Sequence, residues 1–429
     1  MRNFSPLEYL SVASSFVQNG IALRRMPWRP IEDIKEWQFQ KLRSLVSFAY
    51  QYVPFYHDLY SEVGFTPNDL QKWEDFYRLP IVTKEQVIAN YPLKTIASNK
   101  VVEKLFISRS SGSSGKVLDI AYDREAMNIY VLAGLRLYQM GFNYRPWHRQ
   151  LYIYTSPYPF RSFFGLYPLK FVSTLTPISI IIREMKHFQA DLLVCYPSHL
   201  RQIMAHMTVQ DRLQIRPRVI SLNSEMSSQA ERNEMEVFFG CPVLDEYSSE
   251  ELTRIAAQCQ NKNYHVFEDI NYIESNDGII LGTNLHNFAM PMIRYKQNDL
   301  GTISEKTCEC GRSFRILENF LGRKNDCFTL PSGKVISSGF LLDATYGMLL
   351  THRNAVQEFC LIQKSEGDIQ LQIVPSTEWN VNIEQNIASN FMIFFAEPLH
   401  FKVQVVETCE KTLTGKRNPI ISYVGRQNA

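Results

Sequence analysis

No apolar run in this chain is long enough to cross a bilayer as a helix. The nearest, residues 166–182, is broken by Pro168, Lys170 and Pro177. An excess of one charge is missing too. The 45 Lys and Arg nearly balance the 43 Asp and Glu, for a formal net charge of +2, so the overall charge commits the chain neither to nucleic acid nor to membrane. Eight cysteines in 429 residues are too sparse for the disulfide framework of a small secreted domain. There is no internal repeat and no low-complexity tract. Residues 1–26 superficially resemble a signal peptide, but Glu8 interrupts the apolar stretch behind Arg2. Apolar residues recur there as Phe4, Leu7, Leu10, Phe16 and Val17, which suits an amphipathic helix docked on the protein body or on a partner. What remains is a chain expected to be cytoplasmic, of two or three domains, with 45% hydrophobic residues to build a sizeable core.

What is present is concentrated first in one loop, Ser108-Arg109-Ser110-Ser111-Gly112-Ser113-Ser114-Gly115-Lys116. Glycines let backbone approach a phosphate, and amides and hydroxyls donate to the anion. A Walker loop needs four residues between its glycines and Ser or Thr after the lysine. Here Ser113 and Ser114 alone separate Gly112 from Gly115, and Val117 follows Lys116, so this is phosphate chemistry of another design. Ser/Gly loops also serve as flexible connectors. Further segments in a fixed order favour the phosphate reading, ending with Lys411-Thr412-Leu413-Thr414-Gly415-Lys416.

Periodicity predicts helix over 31–60 with a stop at Val53-Pro54, an N-cap at Thr83, and helix over 124–140. Short strands at 151–155, 192–196, 219–222 and 243–244 alternate with helices at 197–207 and 227–239. That alternation predicts an α/β sheet with helices on its faces. After residue 266 the strands shorten, with a hairpin at Ser275-Asn276-Asp277-Gly278. A boundary falls near 322–326, and strands at 359–363, 368–374 and 402–406 mix with helix beyond it. The expected organisation is a large N-terminal domain, residues 1–326, with layered α/β and β-rich parts, and a small α+β domain, residues 327–429.

Cys308 and Cys310 flank one residue ahead of Gly311, a tight turn that can present two thiolates to one metal. Cys259 and His265 would complete a tetrahedral zinc set, with no position left open for catalysis. Buried cysteines acting as small hydrophobes are the alternative.

The ordered set resembles the adenylate-forming superfamily, within it the phenylacetate–coenzyme A ligase-like branch that includes CapK proteins. The similarity runs nearly full length. It includes Val53-Pro54-Phe55-Tyr56 and Leu79-Pro80-Ile81-Val82-Thr83-Lys84-Glu85. The resemblance implies an enzyme that activates a carboxylic acid with ATP and Mg²⁺, releases pyrophosphate, and passes the acyl group from the adenylate to coenzyme A, a carrier protein or an amine. It also implies a mobile C-terminal domain, a structural Zn²⁺ and a homodimer. Polysaccharide or secondary-metabolite biosynthesis is the setting suggested by CapK relatives. No nucleic acid and no membrane span are expected. The alternative is a catalytically weakened nucleotide-binding homologue acting with a partner.

The same resemblance assigns residues. Ser110, Ser111, Gly112, Ser113, Ser114, Gly115 and Lys116 would hold the β- and γ-phosphates. Asn223, Ser224 and Glu225 occupy the adenine-contacting turn. Glu246-Tyr247-Ser248-Ser249-Glu250-Glu251 resembles Tyr-Gly-x-Thr-Glu, assigning Glu246, Tyr247 and Ser248 to the nucleotide, Tyr247 by stacking, and Glu251 to Mg²⁺. Ser248 replaces the glycine, and Glu250 the threonine that donates to the α-phosphate. Arg294-Tyr295-Lys296-Gln297-Asn298-Asp299 resembles Arg-Tyr-(Arg/Lys)-Thr-Gly-Asp, placing Asp299 on the ribose. Arg323 follows at the hinge, with Asp326 at the pivot. Lys416 matches the mobile lysine that bridges carboxylate and phosphate, so Lys416, Glu251 and Arg323 form the expected catalytic set. Tyr196, Pro197 and Ser198 resemble the segment lining the acyl site, with Cys195 in place of a glycine.

Overall fold

The computed structural model describes residues 4–110, 117–141, 143–155, 160, 162, 165–410 and 417–424. The N-terminal helices are α1 (Pro6–Arg25), α2 (Ile31–Tyr52), α3 (Pro54–Glu62), α4 (Trp73–Phe76) and α5 (Lys84–Asn90). The break between α2 and α3 falls at Val53-Pro54, because proline donates no amide and disfavours helix in the residue before it. Thr83 caps α5, accepting the Gln86 amide at 3.4 Å. The hairpin β1 (Phe106–Arg109) and β2 (Asp119–Tyr122) brackets the Ser/Gly loop. Helix α6 (Arg124–Gly141) follows.

An eleven-stranded sheet organises the chain. Its parallel half contains β3 (Gln150–Tyr154), β4 (Leu169–Ser173), β5 (Leu192–Cys195), β6 (Val219–Asn223) and β7 (Val243–Ser249). Crossovers run through α7 (Ile178–Phe188), α8 (Pro197–His206), α9 (Val209–Gln214) and α10 (Gln229–Phe239). The antiparallel half adds β8 (Thr253–Gln258), β9 (Tyr264–Val266), β10 (Asn271–Asn276), β11 (Ile279–Asn284), β12 (Tyr295–Ser304) and β13 (Ile316–Arg323). The order across the sheet is β10-β11-β12-β13-β9-β8-β7-β6-β5-β3-β4. The expected hairpin forms at Asp277-Gly278, both with positive φ. One core joins α2, α3 and α6 to the sheet through Leu42, Tyr60, Met127 and Ile255; a second joins α7, α8 and α10 to the parallel strands through Ile181, Leu200, Leu222 and Met235.

A third core lies within residues 328–420. There β14 (Phe328–Thr329) pairs with β15 (Val335–Ile336), and α11 (Ser338–Leu349) precedes β16 (Val356–Ser365) and β17 (Asp368–Pro375). After α12 (Val381–Phe395) come β18 (His400–Val405) and β19 (Ile420–Ser422), giving a sheet of order β18-β17-β16-β19. The chain is thus mixed α/β, as the alternating periodicity implied. Among the described residues no helix is long and apolar enough to cross a membrane.

Candidate functional site

The parallel strands deliver their motifs at one end. Asn223 ends β6, and Ser224 follows in the left-handed region at φ 66°. The Tyr154 hydroxyl, from the end of β3, bonds the Asn223 side chain and lies 2.5 Å from Ser224 Oγ, holding this turn. Tyr152 stacks on Tyr154 at 4.3 Å between centroids, and Tyr196 packs on it at 4.2 Å. Pro197 opens α8 at its first position, and the Ser198 amide donates to Glu225 Oε2 at 3.1 Å. Glu225 therefore points to the N-terminus of α8, where helix amides favour an anion.

β7 carries the next motif. Glu246 is buried and ion-paired with Arg254 Nε at 3.2 Å. The Tyr247 hydroxyl donates to Asp299 Oδ2 at 2.5 Å, while its ring packs on Phe320 at 4.4 Å. A register shift between Tyr247 and Ser248 interrupts the ladder. The turn ends at Thr253, a β-branched residue at φ 60°, an uncommon conformation that marks local strain. Glu250 is oriented away from open space: its carboxylate accepts from Ser108 on β1, and its carbonyl accepts from the Tyr122 hydroxyl on β2. The motif is strand and turn, with no helix start. Glu251 is buried and accepts from Tyr295 at 3.3 Å.

Asn298 adopts φ 61°, which suits asparagine in place of the glycine of the motif it resembles, since its short polar side chain tolerates that region. Burial raises the Asp299 carboxyl, and the Arg323 guanidinium, 3.9 Å away, pulls it back down. Gly322, at φ 78°, lies so close to α11 and the turn after β6 that a Cβ would meet Met226 Sδ at 2.5 Å and Ser338 Oγ at 2.6 Å.

Two cationic features were not assigned a role from sequence. Lys84, first residue of α5, donates to Ser110 Oγ at 3.3 Å, at the root of the Ser/Gly loop. Burial lowers its pKa, Glu251 raises it, and Arg323 lowers it. Its placement is built: Val82 exchanges main-chain bonds with β12 and the residue before it (to Arg294 O, 3.1 Å; from Lys296 N, 2.9 Å), and Arg294 Nη1 donates to Tyr77 O at 2.7 Å. A lysine at the first position of a helix opposes the helix dipole, which is the signal that could have singled it out. Arg254 lines a small cavity with Val131, Gly134, Leu135, Gln150, Tyr152, Phe160 and Leu169. A Cβ at Gly134 would come within 3.0 Å of its guanidinium.

The C-terminal region closes over the same edge. The Arg417 amide donates to Glu225 Oε1 at 3.1 Å, its guanidinium pairs with Glu358, and Asn418 donates to Asp326 at 3.0 Å. Burial, then Arg417, push His199 on α8 down to about 4. Glu225 is thus held between Ser198 and Arg417. Each Glu225 oxygen thus accepts one main-chain amide and keeps capacity for a further donor. Ser111, Gly112, Ser113, Ser114, Gly115, Lys116 and Lys416 lie outside the described residues.

Apart from this edge, Cys259, His265, Cys308 and Cys310 converge, with candidate ligand atoms all within 4.8 Å of one another. The Cys259 and Cys308 sulfurs are 3.8 Å apart, about the ~3.8 Å edge that a tetrahedron of Zn–S bonds requires. His265 Nδ1 lies 2.9 Å from Phe314 O, as a donated hydrogen bond that turns Nε2 toward Cys310 Sγ at 3.2 Å. Amides of Asn261 and Asn263 donate to the thiol sulfurs of Cys259 and Cys308. The donor set and its hydrogen-bonded surroundings fit a structural Zn²⁺.

The CapK C-terminal domain family matches residues 328–423. A phenylacetate-coenzyme A ligase of Thermus thermophilus is 23% identical over 413 residues, covering 86% of this chain and 88% of that protein. One from Escherichia coli is 24% identical over 335 residues, covering 72% and 75%. Among solved structures, 2-hydroxyisobutyryl-CoA ligase in the postadenylation state with R3-HIB-AMP superposes with a TM-score of 0.76 at 18% identity, covering 93% of this chain and 91% of that one. The same ligase in the thioesterification state gives 0.62, with 94% and 92% covered.

Proposed function

We propose that this chain is a member of the adenylate-forming superfamily, in its phenylacetate–coenzyme A ligase-like, CapK branch, and an enzyme that joins a carboxylic acid to AMP and then transfers the acyl group. The observation that carries this reading is the seating of Arg417 on Glu225, which brings the residue after Lys416 to the edge where Tyr247, Asp299 and Arg323 meet. The acceptor is proposed to be a thiol, coenzyme A or a carrier protein, with an amine as the alternative. A polysaccharide or secondary-metabolite pathway is the proposed setting.

The physical problem is charge, because a carboxylate must attack an anionic phosphate. In this reading Ser110 through Lys116 receive the β- and γ-phosphates, with Lys84 beneath Ser110 as a further cation. Asp299 accepts from the ribose hydroxyls, while Asn223, Ser224 and Tyr247 border the adenine. Glu251 is the proposed Mg²⁺ ligand; that ion supplies neutralisation of the leaving pyrophosphate. Arg323 sits beside Asp299 and the α-phosphate position. Lys416 contacts both the attacking carboxylate and the phosphate, a compact ammonium suited to a charge that moves between oxygens. Tyr154, Tyr196 and the cavity beside Arg254 receive the acyl part. Residues 1–326 form the proposed adenylation domain, and residues 327–429 a mobile domain that delivers Lys416.

The test is acid-dependent ATP–pyrophosphate exchange across aryl, short-chain, hydroxy and amino acids. Exchange with one acid class, abolished in Lys416→Ala, is expected. Tight ATP binding with no exchange for any acid supports a weakened nucleotide-binding homologue.

A further inference from the structure

Helix α1 has two faces of different character. Glu8, Val12, Ser15 and Leu23 are buried toward α6, where Asn128 donates to Ser11 Oγ at 2.8 Å and Arg136 to the Leu23 carbonyl at 3.0 Å. The opposite face carries Leu7, Leu10, Ser14, Val17 and Ile21, spaced by three and four residues within an arc of about 80°. Its four apolar members are 69%, 55%, 79% and 65% exposed. Scattered exposed leucines are ordinary, but a seam about four turns long is not.

The charge around the seam identifies what covers it. Arg24 and Arg25 end the helix on the same side, and Arg29 follows; all three are exposed. Between residues 4 and 31 the sole acidic side chain is Glu8, which is buried and bonded to the Ser5 amide at 2.7 Å. The acids resume with Glu32 and Asp33 on the next helix. Exposed tryptophans lie beside the basic end. Trp28 is 51% exposed, and Trp147 is 68% exposed on a loop tied to Tyr167, whose phenol feels the Arg24 charge. A convex apolar seam with arginines and no acid, flanked by tryptophans, has the makeup of a helix lying in a bilayer interface. A second copy would have to bring the same exposed arginines to the contact.

We propose that this face of α1 docks the protein on an anionic phospholipid surface. The overall charge of +2 conceals the patch because acids elsewhere cancel it. Docking orients the protein without a span, as a peripheral contact.

The test is flotation of the full-length protein with vesicles of equal parts phosphatidylcholine and phosphatidylglycerol, beside vesicles of phosphatidylcholine alone. The native chain is expected to float with the anionic vesicles and to be released by salt. The double variant Leu10→Glu with Val17→Glu is expected to bind on the order of tenfold or more weakly, because two apolar side chains no longer enter the interface. Its thermal melt should match the native one, since both positions are exposed. Arg24→Gln with Arg25→Gln should weaken anionic binding alone. Absence of flotation, or glutamate variants that float like the native chain, overturns the proposal. So does a native dimer that the glutamate pair converts to monomer without any vesicle binding, which would make the seam a self-interface.

Discussion

The Arg417 main-chain amide donates to Glu225 at 3.1 Å, while the other Glu225 oxygen accepts from Ser198. One carboxylate thus joins the turn after β6, the start of α8 and the residue following Lys416. Charge-assisted bonds of this kind contribute about 1.5–3 kcal/mol each. Glu225→Ala is therefore expected to slow ATP–pyrophosphate exchange by roughly 10- to 100-fold. Acyl transfer from a supplied adenylate should change far less, because in the proposed cycle that step does not use Lys416 at this edge. Equal loss in both half-reactions would show that Glu225 acts elsewhere.

Lys84 supplies a pH signature. Burial lowers its pKa, so its positive charge is lost at a pH below that of an ordinary lysine, despite the opposing influence of Glu251 and Glu85. If its charge supports phosphate binding, exchange activity falls early on the alkaline side. Lys84→Arg keeps the charge throughout and should move that limb to higher pH; Lys84→Met should lower the rate at every pH. An unchanged alkaline limb in the arginine variant would count against the assignment.

The zinc reading is settled by composition and heat. Purified protein should contain one zinc per chain by elemental analysis. Cys308→Ser, which removes a proposed ligand whose sulfur accepts from Asn263, should lower the melting temperature by roughly 5 °C or more. Metal-free protein with unchanged stability would return these residues to ordinary packing.

Gly322→Ala tests the joint between the two parts. Its φ of 78° disfavours any side chain, and Met226 and Ser338 occupy the space a Cβ needs. A loss of about 2 kcal/mol or more in denaturant unfolding is expected.

Much of this was legible in the chain because it is local. Alternating strand and helix periods located the parallel strands, and Val53-Pro54 and Thr83 marked helix ends through proline and capping chemistry. Asn298, at φ 61°, adopts a backbone conformation that glycine and asparagine both tolerate. What escaped depends on distant partners. Glu225 has the sequence context of an adenine turn, and only the return of residue 417 shows its oxygens engaged. Arg254 is an ordinary strand residue until Gly134 makes room for it. Lys84 gains its place through the bonds of Val82 to β12, more than two hundred positions along the chain.

Those bonds have a consequence for the reaction cycle. Val82 and Arg294 fasten Lys84 to the large sheet, whereas Lys416 immediately precedes the segment leading to β19 in the small one. In the proposed cycle, a rigid rotation of the small sheet would carry Lys416 off and leave Lys84 behind. One positive charge would stay and the other would travel, so the phosphate side would keep a cation while the acyl side is laid open for its next partner.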